Sequence, residues 1–267
     1  MLSSASTGPF KVGPRRQNTI LHPLSTALVN LPLALSNGEF TVGALVVAIL
    51  VLSLGVHEAA HAWVASLCGD STAKDMGRLT LNPIPHIDPV MTILLPGFLV
   101  LSGSGFVFGG AKPVPVNYQR LRKPARDMML VALAGPLMNV LIAVVLMAVT
   151  KLLLAEGGMG RPGDTALGYI VYAHRPTQIA TVVLTYATRI NIVLAIFNML
   201  PIPPLDGSRV LAFLLPSPVR ETYMRLDRFA MLFVFLILFS GALRPIIMTA
   251  YFPLAQLVDV LTGGSAW

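Results

Sequence analysis

Five consecutive residues, His57-Glu58-Ala59-Ala60-His61, place three ionisable side chains inside an otherwise apolar run. On a helix, residues four apart share one face, so both imidazoles can reach a single tetrahedral metal ion. Glu58 lies about 100° further round, close enough to take a proton from a water at that metal. Between Phe40 and Gly69 the chain has no other Asp, Glu, Lys or Arg. About 20 apolar residues cross the hydrocarbon of a bilayer, so this run is a candidate span. Ionisable groups at membrane depth are costly and usually functional. A polar patch that bonds neighbouring helices is the plainer alternative, and it gives no reason for three such groups in five residues.

A catalytic zinc normally takes three protein ligands and leaves one position open. With His57 and His61 supplying two, Asp206 is the candidate for the third. It ends an apolar span, follows the proline-broken stretch Pro201-Ile202-Pro203-Pro204, and precedes Gly207, so its backbone can bend toward a partner helix. Without the paired histidines the same residues would read as an ordinary Asp-Gly turn at a membrane interface.

The elements that must position these groups are apolar. Of 267 residues 55% are hydrophobic and 12% charged, and mean hydropathy is +0.74, which points to an all-α polytopic membrane protein. No polar stretch between spans is long enough for a separate soluble core. A single cysteine, Cys68, excludes an internal disulfide and a Cys-rich metal site. The net charge of +7 fits cytoplasmic loops better than a nucleic-acid partner, and none is expected.

In chain order, residues 1–39 are expected to form a basic tail without a cleavable signal pattern, followed by an apolar stretch at 19–36. His22, Pro23 and Pro32 interrupt that stretch, which is either an imperfect first span or an interfacial segment. The helix bearing His57 should stop near Cys68-Gly69. Arg78–Asn82 alternates with period two and predicts a short strand. Val90–Phe108 is apolar but broken by Pro96, Gly97, Gly103 and Gly105; Met128–Thr150 and Thr177–Leu205 are spans; a last span runs from Phe229 to about Tyr251. The catalytic core is thus assigned to 40–228 and a C-terminal span and tail to 229–267.

These motifs resemble the site-2 protease family of intramembrane zinc metalloproteases. His57–His61 matches the family's HExxH, and Asn198-Met-Leu-Pro201-Ile-Pro203-Pro204-Leu205-Asp206-Gly207 matches its NxxPxPxLDG. Ala134-Gly135-Pro136-Leu137-Met138-Asn139 matches the AGPxxN segment of the intervening core helix. Asn82-Pro83, His86-Ile87-Asp88-Pro89 and Gly110–Asn117 resemble a compact prokaryotic branch without PDZ or CBS domains. Where members often have Gly-Trp before Ala-Lys-Pro, this chain has Gly109-Gly110. The resemblance covers about residues 55–210. It implies one Zn²⁺ per chain on His57, His61 and Asp206, Glu58 as the base, and Asn198 near the scissile carbonyl. Gly135, Asn139 and His86 are secondary site candidates, with a hydrogen-bonded turn as the default for His86.

Topology follows from the ligands, which must meet at one depth. His57 and His61 lie toward the C-terminal end of one helix and Asp206 beyond the C-terminal end of another, so those helices run the same way. Met128–Thr150 supplies the one crossing needed between them, and Val90–Phe108 is therefore expected to be re-entrant. The architecture expected is a three-helix catalytic core with flanking spans and a short β/re-entrant segment between the first two core helices. Loops 69–127 and 206–228 then carry eleven Lys and Arg against three in 151–176, which puts the zinc end on the cytoplasmic side of a prokaryotic inner membrane; a five-span count also separates charge well, so ligand geometry rather than charge chooses between them. The partners expected are a membrane-protein substrate and the bilayer; the oligomeric state is unspecified. A metal-binding transporter would favour an inverted repeat, which is not visible, and an inactive scaffold would more often lack Glu58.

Overall fold

The structure, a computed structural model, describes residues 37–101, 107–155, 176–229, 232–234, 236, 240–241 and 243–263. The segment at 19–36 and most of the loop at 151–176 lie outside them. Helix α1 (Asn37–Leu67) is followed by the short α2 (Thr72–Asp75), a 3₁₀ turn at Ile84–His86, and a π-helical turn at Pro89–Leu94 that runs into α3 (Leu95–Leu101). After a 3₁₀ turn at Tyr118–Arg120 come α4 (Pro124–Ala155), α5 (Pro176–Asn198), α6 (Asp206–Leu214), α7 (Ser217–Met224) and α8 (Leu243–Leu261). Within α1, α4 and α5, the segments Thr41–Leu67, Pro124–Leu153 and Ile179–Asn198 are long and apolar enough to cross a membrane.

These three helices pack on one another, as the three-helix core expected from the ligands does. Ile49 of α1 packs with Tyr186 and Ala187 of α5, and further along both helices Leu50 and Leu54 pack with Leu194, so α1 and α5 run in the same direction. α4 runs the opposite way. Arg122, just before it, donates to the Leu67 carbonyl at 2.8 Å, and the Arg122 N–H donates to the Cys68 carbonyl at 3.1 Å. A guanidinium there satisfies carbonyls that a helix end leaves open and complements its partial negative charge. Gly69, with φ of +106°, ends the turn where a side chain would be strained. On the other flank of α4, Ala143 and Met147 join Ile192, Ile196, Ile247, Tyr251 and Val258 in a cluster that docks α8.

The described parts on either side of 102–106 are bonded to each other near Met91 and Gly110. Asp88 caps the start of the first part by accepting from the Val90 and Met91 N–H groups. The returning Gly110 N–H then donates to the Met91 carbonyl at 3.0 Å, and Lys112 N–H to the His86 carbonyl at 2.8 Å. Entry and exit are therefore side by side. Close packing on α1 makes room for this: a Cβ at Gly43 would collide with the Val100 side chain at 2.5 Å, and one at Gly55 would meet Pro83 at 3.2 Å.

Two expectations are corrected. Arg78–Asn82 forms no strand, and among the described residues every regular element is helical. Several of its polar groups are bonded elsewhere. The Arg78 guanidinium donates to the Lys112 and Pro113 carbonyls, the Thr80 carbonyl is bonded to the His86 ring, and Thr80 Oγ1 takes the Asn82 N–H. Alternation alone does not make a strand without a second strand to pair with, and the described residues contain none. The last span, expected as one helix from Phe229 to Tyr251, is broken by Gly241 at φ +72°, and α8 then extends to Leu261.

Candidate metal centre

α1 presents His57 and His61 to the interior, with 3% and 7% of their surface exposed. The chain after α5 turns sharply through Pro201–Leu205, and Asp206 is the first residue of α6. That turn requires Gly207, because a Cβ there would run into the Met199 and Leu200 carbonyls. Tyr223 of α7 donates to the Pro201 carbonyl at 2.8 Å, and Arg209 pairs with Asp227 at 2.7 Å, fastening the turn from outside.

The outcome is a triangle of ligand atoms. His57 Nε2 and His61 Nε2 are 3.0 Å apart, and Asp206 Oδ2 is 3.2 Å from the first and 3.4 Å from the second. Two ligands at about 2.0–2.1 Å from a tetrahedral zinc are roughly 3.3 Å apart. The remaining ring nitrogens are engaged elsewhere: His57 Nδ1 faces Asn139 Oδ1 at 2.5 Å, and His61 Nδ1 faces the Val131 carbonyl at 2.7 Å. A carbonyl oxygen only accepts, so each Nδ1 carries the proton and each neutral Nε2 turns a lone pair to the centre. Asp206 Oδ2 is itself buried without a hydrogen-bond donor. Three lone-pair atoms this close repel one another unless a cation sits among them, and the donor set suits zinc.

α4 supplies the wall behind the rings. A Cβ at Gly135 would fall 2.5 Å from both His57 Nε2 and His61 Nε2, so only glycine lets α4 approach. Pro136 follows inside the helix. It leaves the Ala132 carbonyl without its helical N–H, one residue from the Val131 carbonyl that faces His61.

Glu58 is held separately. Its Oε2 accepts from the Val114 N–H at 2.8 Å, in the extended stretch Gly110–Asn117. Pro113 and Pro115 on either side have no N–H, so Val114 is the sole backbone donor of that triplet. The stretch is tied down at one end through Lys112 and Arg78, and at the other by Asp70, whose carboxylate accepts from the Asn117 N–H at 2.6 Å. Burial pushes the Asp70 pKa up, but the Thr72 hydroxyl and N–H and the Asn117 N–H outweigh it and hold the group below the ordinary value.

His57, His61, Asp206, Gly135 and Asn139 thus converge, and Glu58 follows His57 on α1 with its carboxylate held by the strap. The Asn198 amide donates back to the Leu194 carbonyl at 3.0 Å, on its own helix, and the hydrogen bonds among the described residues do not tie it to the triangle. His86 is a buried turn residue bonded to the Thr80 carbonyl at 3.1 Å. Sequence reasoning missed Val114 and Asn191. The two prolines that isolate one N–H were the only available sign of the first, and an Asn within a span the only sign of the second.

The chain matches the family described as Peptidase family M50 over residues 45–241. It is 38% identical over 191 residues to "Putative zinc metalloprotease YwhC" of Bacillus subtilis (strain 168), covering 71% of this chain and 77% of that protein. It is 30% identical over 202 residues to "Putative zinc metalloprotease Rip2" of Mycolicibacterium smegmatis, covering 75% and 68%. The protein of the same name in Mycobacterium tuberculosis (strain H37Rv) is 28% identical over 201 residues, again covering 75% and 68%. No solved structure matches significantly. Its buried ligand triangle, its HExxH helix and its match over most of its length make this chain a membrane protein of Peptidase family M50, the site-2 protease family of metalloproteases.

Proposed function

We propose that the protein hydrolyses peptide bonds in or near the membrane-spanning segments of other proteins, using one zinc ion per chain. The observation that carries this reading is the depth of the triangle. His57 lies ten residues before the end of α1, about 15 Å along the helix, and Gly135 lies a similar distance from the start of α4. A site so far from either helix end faces a substrate already within the bilayer.

Zinc held by His57, His61 and Asp206 would supply a Lewis acid that polarises the scissile carbonyl and makes water a stronger acid. Glu58 removes a proton from the attacking water at its carboxylate and later delivers it to the leaving amine. The Val114 N–H holds one carboxylate oxygen and leaves the other for that exchange. Asn198 is assigned to the substrate carbonyl or the oxyanion, where one donor is typically worth about 10²–10³ in turnover; its amide would have to leave Leu194. The zinc end faces the cytoplasm of a prokaryotic inner membrane, as the distribution of Lys and Arg supports.

The test compares membrane fractions of cells expressing wild type or Glu58→Gln by quantitative proteomics, with zinc measured on both purified proteins. Membrane-protein fragments that appear only with the wild type are expected, at equal zinc. Fragments produced equally by Glu58→Gln would refute proteolysis. For the topology, single cysteines at Asp75 and Asn117 in a Cys68→Ser background are expected to be labelled only from the cytoplasmic side. Labelling from opposite sides would refute the orientation.

A further inference from the structure

Behind His57 lies a closed ring of polar side chains that joins all three core helices. Asn139 of α4 faces His57 Nδ1 with its Oδ1 at 2.5 Å and donates from Nδ2 to Asn191 Oδ1 of α5 at 2.8 Å. Asn191 Nδ2 donates to the Ala187 carbonyl at 2.8 Å and to Ser53 Oγ at 2.9 Å. Ser53 returns the ring to α1, one turn before His57 and on the same face. Ser53, His57, Asn139 and Asn191 are each no more than 5% exposed.

The direction of this ring is fixed at one point. An asparagine amide can be turned over, exchanging donor for acceptor, and only its partners decide which way it sits. The Ala187 carbonyl can only accept, so the NH₂ of Asn191 must face it. Asn191 Oδ1 is then left toward Asn139 and demands a donor, which turns the Asn139 NH₂ to α5 and its oxygen to His57. His57 must answer with Nδ1–H. An Asn139 turned over would instead present NH₂ to Nδ1, drive the proton to Nε2, and point an N–H where a metal needs a lone pair.

We propose that Asn191 is a positioning residue for the metal centre, setting the tautomer of His57 through Asn139 from a single backbone carbonyl of α5. This rests on the reading of the triangle as a zinc site. It assigns a role to a side chain that touches neither metal nor substrate.

The experiment uses the full chain, purified in nanodiscs. In metal-free wild type labelled with ¹⁵N-histidine, NMR should show His57 as a single Nδ1–H tautomer, and Asn191→Leu should bring in the Nε2–H form. In competition with a chelator, Asn191→Leu should weaken zinc retention about 10–100-fold, as loss of a partner to a metal-bound histidine typically does. Asn139→Asp provides the decisive contrast, because a carboxylate accepts at either oxygen and has no wrong way round. In the Asn191→Leu background it should restore zinc retention. Alone, it sets two acceptors face to face and should lower retention. Lost packing gives no such reversal. Unchanged tautomer and retention in Asn191→Leu, or no rescue by Asn139→Asp, would overturn the proposal. Should Asn191→Leu fail to accumulate, retention equal to wild type in the near-isosteric Asn139→Asp single variant would overturn it as well. A wild type that takes up no zinc, yet holds His57 in one tautomer, would instead overturn the zinc reading and leave the ring's polarity standing.

Discussion

His57 and Glu58 are neighbours in sequence, yet they are held by opposite means. His57 is enclosed by side chains of other membrane helices, down to an asparagine with no exposed surface. Glu58 is partly exposed and takes a single N–H from an extended strap outside the helices. On the proposed function, the metal side is thus built from buried groups whose misplacement leaves polar atoms unsatisfied, whereas the proton-transfer side hangs on one loop contact. Ligands have to stay still. A base that takes and returns a proton has to keep some freedom.

The largest expected effects divide these two sides. His57→Ala, His61→Ala and Asp206→Ala should each remove zinc and activity together, while Glu58→Gln keeps zinc and loses about 10²–10⁴ in turnover, the usual contribution of a positioned base. Metal analysis beside single-turnover cleavage checks this, and zinc loss in Glu58→Gln would merge the two halves. Gly135→Ala should act on the metal side alone, because its methyl must displace both imidazoles; a drop in zinc affinity of more than tenfold is expected, read by chelator competition.

On the base side, Val114→Pro replaces the N–H by a ring Cδ that faces Glu58, whereas Val114→Ala keeps the donor. A hydrogen bond to a charged group is worth about 1.5–3 kcal/mol, so Val114→Pro should slow cleavage roughly tenfold to a hundredfold at unchanged zinc, with Val114→Ala near wild type. Equal effects of the two would assign the role to the side chain. The smallest effect is on the tether of the strap. Asp70 has a lowered pKa in the folded chain, so its contribution to stability is complete above the ordinary aspartate value of 3.8 and is lost as pH falls through the folded value below it. Asp70→Asn should therefore be less stable than wild type at pH 7, and the gap should narrow under acid, as thermal unfolding at each pH would report.

The same division explains what could be read in advance. His57, Glu58 and His61 announce themselves because their spacing matches a helical turn, and Asp206 because a metal needs a third ligand. Gly135 and Asn139 were legible only as parts of a motif; that a missing Cβ seats two rings is a fact of helix approach. Val114 acts through its backbone, which no residue type encodes. Arg78–Asn82 alternates like a strand but spends its polar groups on Lys112, Pro113 and His86, and that competition appears only once 78 and 112 are neighbours in space. Gly241 lies within the apolar run expected as the last span, yet it takes a positive φ and splits it.

The third corner of the triangle comes late. Asp206 follows His61 by some 145 residues and belongs to a turn that forms only after α5. At translation rates of about 5–20 residues per second, a growing chain carries two imidazoles and their base for roughly 7–30 s before the last ligand emerges. On the proposed function, the nascent chain would thus be inert while its own unpacked helices, and those of proteins inserting nearby, are most open to cutting.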